Sequence, residues 1–340
     1  MPRDNYTDAL PSGEATDPAV FFSRRRFLKT AAAIGLVGSG TTYGCQNSGG
    51  KDTRLAVPFA RPDVFPAKRR ADFKIPSGID ATITRRWLAA SHNNFYEFLP
   101  GRAGEVWKLA GDFVVEPWTV QITGECHKPM TLDLDALFAF AHEERLYHFR
   151  CVERWAMNVP WSGFPLAKLL EKVQPTSHAK YIRFITAMRP EQMPGLRGSP
   201  GYPWPYHEAL RIEEAVNELA LVVTGVYGEP LLKQHGAPVR IIVPWKYGYK
   251  SPKSIVRIEF VREEPGTFWQ IQPHEYGFLS NVNPNIPHPR WSQARSYWIG
   301  RQDEWFPTPI FNGYDSYVGN LYPDEPRTPQ RALHPGDKAR

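Results

Sequence analysis

The spacing of apolar and polar positions is uninformative at the start of the chain and becomes regular from about residue 118. WTVQITGEC, 118 to 126, alternates as a half-buried strand does, and RLYHFRC, 145 to 151, alternates again. Between them MTLDLDALFAF, 130 to 140, predicts a short helix. FPLAKLLEKV, 164 to 173, places Leu166, Leu169, Leu170 and Val173 on one helical stripe, with Pro165 in its first turn. Further strands are predicted for KYIRFITA (180 to 187), ELALVVTGVYG (218 to 228), PVRIIVP (238 to 244) and SIVRIEFVRE (254 to 263).

Strands outnumber helices and the connections between them are rich in proline, so the expected fold is α+β, dominated by mixed β-sheet. Composition agrees: 42% of residues are hydrophobic and 13% aromatic, which suits a globular core, while 33 prolines argue against a helical bundle. No internal repeat is visible. No G-x-G-x-x-G follows a strand and no G-x-x-x-x-G-K-[ST] occurs, so neither a dinucleotide fingerprint nor a P-loop is present. The formal charge is +6, but part of it belongs to the two ends of the chain, and no basic stripe interleaved with aromatics appears. Nucleic acid is therefore not an expected partner.

The first segment has the order of an address. SRRRFLK, 23 to 29, is followed by the apolar run TAAAIGLVGSG and then by small and polar residues. This is the pattern of a twin-arginine export signal, assigned to residues 1–45, and the apolar run falls short of the ~20 residues a membrane span requires. Because that route carries folded proteins, the pattern implies the export machinery as a partner, the periplasm as destination and a prosthetic group inserted beforehand. Residues 46–84 read as an extended arm, 85–325 as the catalytic domain and 326–340 as a polar tail. LALVVTGVYG, 219 to 228, has the length of a buried strand rather than a span.

Candidate chemistry is concentrated in few places. The three cysteines, Cys45, Cys126 and Cys151, form no C-x-x-C and no zinc or haem motif. Cys151, directly after an alternating stretch and between Arg150 and Arg154, reads as a small buried hydrophobe, as a thiol whose ionisation those arginines would favour, or as a metal ligand whose other sulfurs come from a cofactor. SHNNFYEF, 91 to 98, gathers amide groups and a carboxylate suited to a polar heterocycle, or is a turn with core aromatics. In QHGAPVRIIVPWKYGYKSPKSI, 234 to 255, Arg240 lies on an apolar strand and needs a partner; a phosphate would serve, with Lys246, Lys250 and Lys253 on the following loop. Gly236 and Gly248 would let backbone amides approach such an anion. NPNIPHPRWSQA, 283 to 294, suggests no role by its chemistry.

Taken together, SHNNFYEF, RCVERWAMNVPWSGFPL, APVRIIVPWKYGYKSPKSI, EYGFLSNVNP and HPRWSQA resemble the family of periplasmic protein-methionine-sulfoxide reductase catalytic subunits, molybdopterin enzymes with a sulfite-oxidase-like fold. The resemblance runs in consistent order from about residue 65 to residue 322. It implies a Mo-molybdopterin cofactor with Cys151 as the molybdenum ligand and catalytic residue. By the same matching, Asn93, Tyr96, Glu97, Thr186, His235, Arg240, Ser251, Pro252 and Lys253 contact the pterin. One position departs: relatives often read N-G-A-P where this chain has His235 before Gly236.

The implied function is repair: reduction of methionine sulfoxide in oxidised periplasmic proteins, at a shallow, exposed site. The chain has no haem or iron–sulfur motif of its own. The resemblance supplies the electron donor, a haem-containing, quinol-oxidising membrane subunit. Two alternatives stand beside this reading. A sulfite oxidase-type enzyme would run the oxygen transfer in the opposite direction, and an exported binding protein would use Cys151 only for packing.

Overall fold

A computed structural model of the protein describes residues 53 to 101 and 103 to 330. The export segment with Cys45 and the last ten residues of the tail lie outside the described residues. Its strands in chain order are β1 (Thr119–Gly124), β2 (Met130–Asp133), β3 (Glu143–Arg150), β4 (Trp155–Pro165), β5 (Tyr181–Thr186) and β6 (His207–Arg211). They are followed by β7 (Leu221–Val226), β8 (Glu229–Pro230), β9 (Arg240–Ile242), β10 (Ile255–Val261), β11 (Arg295–Trp298) and β12 (Arg301–Pro307).

The strands form two sheets. One has the order β2-β1-β10-β5-β6, and β1 runs parallel to β10 while its other neighbours pair antiparallel. The other is built around β4, which pairs with β3 along one side. Along the opposite side β4 pairs with β11 at its start and with β7 at its end. Both parallel and antiparallel pairs occur, as expected of a mixed α+β fold.

β4 has the least readable sequence of all the strands. Every residue from Trp155 to Phe164 is buried, so WAMNVPWSGF has no polar face and therefore no alternation to detect. MTLDLDALFAF also departs from expectation. Its first four residues pair with β1, from Ile122 opposite Met130 to Thr119 opposite Asp133, and only Leu134–Phe138 form a helix, α2. The switch is made by Asp133, whose Oδ1 accepts from the Ala136 amide at 2.8 Å. α1 (Arg86–Ser91) precedes it, and α3 (Leu166–Val173) buries the expected stripe of Leu166, Leu169, Leu170 and Val173. Residues 65 to 84 run along the second sheet. Phe65 and Phe73 are buried, Arg69 Nε donates to Glu144 on β3 at 2.7 Å, and Asn158 Nδ2 on β4 reaches the Asp80 carbonyl at 2.7 Å.

Two of the loop lysines read as candidate phosphate partners are spent inside the fold. Lys246 Nζ lies 2.7 Å from Glu214 Oε1 and donates to the Leu279 carbonyl at 2.7 Å and to Asn281 Oδ1 at 2.8 Å. Lys250 Nζ lies 2.6 Å from Glu208 Oε2, with both side chains 1% exposed. Burial alone would raise the Glu214 carboxyl, but the Lys246 ammonium and the Tyr322 hydroxyl outweigh it and hold Glu214 below its ordinary value. Removing one partner strands the other in a low-dielectric interior, so Glu214→Gln should lower stability by roughly 3–5 kcal/mol in urea unfolding at neutral pH. A depressed carboxyl contributes stability that is complete above its unfolded pKa. The difference between wild type and variant should therefore begin to shrink once the pH falls below about 4.3 and vanish below the depressed native value.

Candidate active site

β3 and β4 form a hairpin whose last ladder pair is Arg150 with Ala156, and Cys151 is the first residue beyond it. The turn is closed by two backbone bonds, Cys151 N to Trp155 O at 3.0 Å and Arg154 N to Cys151 O at 3.0 Å, with Arg154 at φ 77°. That left-handed conformation is uncommon for a non-glycine residue and is held here by the paired strands on either side. The Cys151 sulfur is thus fixed at the tip of a rigid hairpin, in a residue only 5% exposed.

Three groups close around that sulfur. Asn94 Nδ2 donates to Sγ at 3.4 Å, and the Glu153 backbone amide donates at 3.4 Å. Glu153 Oε2 lies 4.0 Å from Sγ and is itself held by Asn94 Nδ2 at 2.9 Å and Trp155 Nε1 at 3.1 Å. Burial pushes the thiol up most, the Glu153 carboxylate pushes it further, and the Glu153 backbone amide, the Asn94 amide and Arg150 pull against them without reversing the shift. The expectation that the neighbouring arginines favour a free thiolate is therefore not met: Arg150 is the weakest of the causes and desolvation the largest. A sulfur in this setting is not ionised by its neighbours, and coordination to a metal would deprotonate it. Among the described residues no group of three or more His, Cys, Asp or Glu side chains is arranged to hold a metal ion, so the remaining donors would have to come from a cofactor.

The SHNNFYEF segment leads away from Cys151. Asn93 is buried, with Nδ2 donating to the Ala89 carbonyl of α1 at 3.1 Å while its Oδ1 has no partner. Tyr96 packs edge-on against Trp269, with ring centroids 4.8 Å apart. Glu97 is buried and accepts from Thr186 Oγ1, at the end of β5, at 2.9 Å. Gly195 makes this approach possible, because a Cβ there would fall 2.4 Å from the Tyr96 carbonyl oxygen and 2.7 Å from that of Glu97.

The second predicted group is built around Arg240 on β9. Its guanidinium is buried and donates only to carbonyls, at 2.8 Å to His235 and 3.2 Å to Ser251, with no carboxylate paired to it among the described residues. Burial draws it down to about 9, so it remains a cation at neutral pH. His235 Nε2 lies 3.0 Å from the same Ala89 carbonyl that Asn93 uses, and its Nδ1 has no partner. Burial, opposed by that carbonyl, takes the imidazole down to about 3, so it is neutral, with Nε2–H as donor and Nδ1 as a spare acceptor. Ser251 Oγ accepts from the Val243 amide at 3.2 Å, and the Pro252 carbonyl accepts from the Ile241 amide at 3.1 Å. Lys253 follows on the crossing from β9 to β10, with Nζ 5.3 Å from the centre of the Phe95 ring. Gly236, at φ 94°, packs so closely on it that a Cβ would lie 2.5 Å from Lys253 Cβ. Burial pushes the Glu97 carboxyl up and the Lys253 ammonium down, while their mutual attraction works against both shifts.

Shared partners therefore join the two predicted groups: Ala89 O links Asn93 to His235, and Lys253 stands against Phe95 and within electrostatic reach of Glu97, Arg240 and Cys151. Sequence reasoning counted Asn94 among the amides of SHNNFYEF without linking it to the sulfur, and passed over Glu153 and His92. Asn94 and Glu153 touch the sulfur directly, while His92 has its ring 4.8 Å from that of Trp155 and an unpartnered Nε2. The 283 to 294 segment supports the turn from behind, since Trp291 Nε1 and Gln293 Nε2 both donate to the Val152 carbonyl, at 2.9 and 3.0 Å. No spacing rule signals these roles, because they arise from strand-end geometry.

The residues fit a ligand that carries sulfur donors, a polar heterocycle and a phosphate. One soft donor stands at Cys151, and buried acceptors without partners stand at Asn93 Oδ1, Asn94 Oδ1 and His235 Nδ1. A buried cation without a counter-charge stands at Arg240.

Comparison with known proteins agrees with this donor set. Residues 108–269 match the oxidoreductase molybdopterin binding domain, so the chain carries a molybdopterin-binding domain. The protein-methionine-sulfoxide reductase catalytic subunit MsrP of Burkholderia mallei (strain ATCC 23344) is 46% identical over 93% of this chain and 93% of its own length. The subunit of the same name from Xanthomonas axonopodis pv. citri is 45% identical over 94% of this chain and 97% of its own. Among solved structures, the sulfane dehydrogenase SoxCD of Paracoccus pantotrophus aligns with a TM-score of 0.44 at 14% identity, over 75% of this chain and 63% of that one. With that identity to its curated relatives along nearly its whole length, the chain belongs to the family of protein-methionine-sulfoxide reductase catalytic subunits.

Proposed function

We propose that this protein reduces methionine sulfoxide residues in periplasmic proteins to methionine, with Cys151 as the protein ligand of a molybdopterin-bound molybdenum. The observation that carries the reading is a buried thiol at Cys151 and a buried Arg240 with only carbonyl partners, both within electrostatic reach of Lys253, in a chain of this family. When bound, the cofactor supplies oxygen-atom transfer: the sulfoxide takes two electrons and two protons and leaves as thioether and water.

The chain's own residues supply position and polarity. Asn94 holds its amide between the Cys151 sulfur and the Glu153 carboxylate, which fixes the direction in which the ligating sulfur presents its lone pairs. Asn93, Tyr96, Glu97 and Thr186 would hold the pterin, Asn93 through its unpartnered carbonyl oxygen and Glu97 with its carboxylate steadied by the Thr186 hydroxyl. Arg240 and Lys253, with His235, Ser251 and Pro252 shaping the loop between them, would take the phosphate. Lys246 and Lys250 are excluded from that role by their internal ion pairs.

Electrons must come from another protein, and the proposed donor is the haem-containing, quinol-oxidising membrane subunit. The basic, apolar, then polar order of the first 45 residues supports export of the loaded enzyme through the twin-arginine machinery.

The direction of the reaction is tested on purified holoenzyme. Reduced viologen should be oxidised in the presence of methionine sulfoxide, whereas sulfite with ferricyanide should give no turnover; the reverse pattern sinks the proposal in favour of a sulfite oxidase. Cys151→Ser should abolish sulfoxide-dependent viologen oxidation with circular dichroism unchanged, since the substitution removes little volume. Asn94→Ala should keep its molybdenum, measured by elemental analysis, and lose about 10- to 100-fold in kcat/KM, the range typical of a group that orients a metal ligand.

A further inference from the structure

The residue before the proposed metal ligand is a charge without a counter-charge. Arg150 ends β3 and is completely buried. Its Nε donates to Ser296 Oγ at 2.7 Å, and that hydroxyl is shared with Thr308 Oγ1 at 2.7 Å. Nη1 donates to the Cys151 carbonyl at 3.2 Å, and Nη2 reaches the carbonyls of Gln293 and Arg295 at 3.4 and 3.5 Å. The guanidinium stands 5.4 Å from the centre of the Tyr247 ring. No carboxylate pairs with it among the described residues, although buried Lys246 and Lys250 in the same fold each have one.

Neutral hydrogen bonds of this kind do not require a full charge, and burying one is expensive unless something nearby is negative. The Cys151 side chain, once it coordinates a metal as thiolate, is that negative group. A fixed positive charge in a water-poor setting stabilises the more reduced, more negative state of a neighbouring metal centre, and salt screens it little.

We propose that Arg150 is a positioning residue that also acts electrostatically: it pins the hairpin turn that carries Cys151, and its charge raises the reduction potential of the metal that Cys151 ligates. The proposal rests on the reading of Cys151 as ligand. It assigns the two roles to separable properties, the fork of donors to the turn and the charge to the potential.

The test compares holoenzyme of wild type, Arg150→Gln, Arg150→Lys and Ser296→Ala by redox titration of the paramagnetic molybdenum signal, alongside thermal unfolding. Arg150→Gln should shift the midpoint potential to a more negative value. Arg150→Lys and Ser296→Ala retain the charge, so they should lower the unfolding temperature and keep the potential near that of wild type. An unchanged potential in molybdenum-loaded Arg150→Gln overturns the electrostatic role. So does an equal shift in all three variants, which would reduce Arg150 to geometry alone. Should Arg150→Gln fail to fold, the two charge-retaining variants still decide, since displaced potentials in them contradict the proposal and preserved ones support it. A molybdenum signal that is identical in Cys151→Ser and wild type would instead remove the ligand reading itself, a separate failure from an unmoved potential.

Discussion

The site depends on where the β3–β4 hairpin leaves the sulfur of Cys151. A cysteine one residue past the last ladder pair has its backbone set on both sides by strand hydrogen bonds, so its side chain has little freedom to move. Burial and the Glu153 carboxylate then remove any reason for the thiol to ionise unaided. A catalytic cysteine nucleophile wants the opposite surroundings, an electropositive and partly exposed pocket. The turn thus discriminates between two uses of the same residue: it disfavours a free thiolate and favours a sulfur whose charge is neutralised by a metal.

The division of buried cations follows the same logic. Lys246 and Lys250 are each matched by a glutamate and knit loop 243 to 254 to the rest of the fold. Arg240, on the strand leading into that loop, donates only to carbonyls, and Lys253, at its end, lies over the Phe95 ring within electrostatic reach of Glu97. The internally paired lysines make the loop rigid, and the unmatched arginine makes it receptive to an anion. A loop whose every cation was paired would hold its shape and bind nothing; one with none paired would be too costly to bury.

These distinctions also mark where reading the sequence succeeds and where it stops. Cys151 and Arg240 were legible because each breaks its context, a lone cysteine ending an alternating run and a charge inside an apolar strand. The lysines of WKYGYKSPK look alike in sequence, and only the fold separates them, by bringing Glu214 and Glu208 to two of the three. Asn94 differs from Asn93 by one position in a turn, yet one reaches the sulfur and the other the α1 carbonyl. β4 escaped because a strand buried on both faces has no period, and Met130–Asp133 read as helix because four residues of alternation are too few to outweigh the helical run that follows.

At His235, where the chain departs from the expected N-G-A-P, the structure still offers one donor and one acceptor. An asparagine side chain brings one donor group and one acceptor oxygen; a neutral imidazole brings one of each on opposite sides of a ring. Burial keeps the ring neutral throughout the physiological range, the donor is committed to the Ala89 carbonyl, and the acceptor is left over. The same carbonyl anchors Asn93, so one element, α1, orients both the ring and that amide. Position 235 therefore holds a neutral group with its donor turned toward α1 and an acceptor without a partner, and the histidine stays neutral because burial outweighs the carbonyl that favours its second proton.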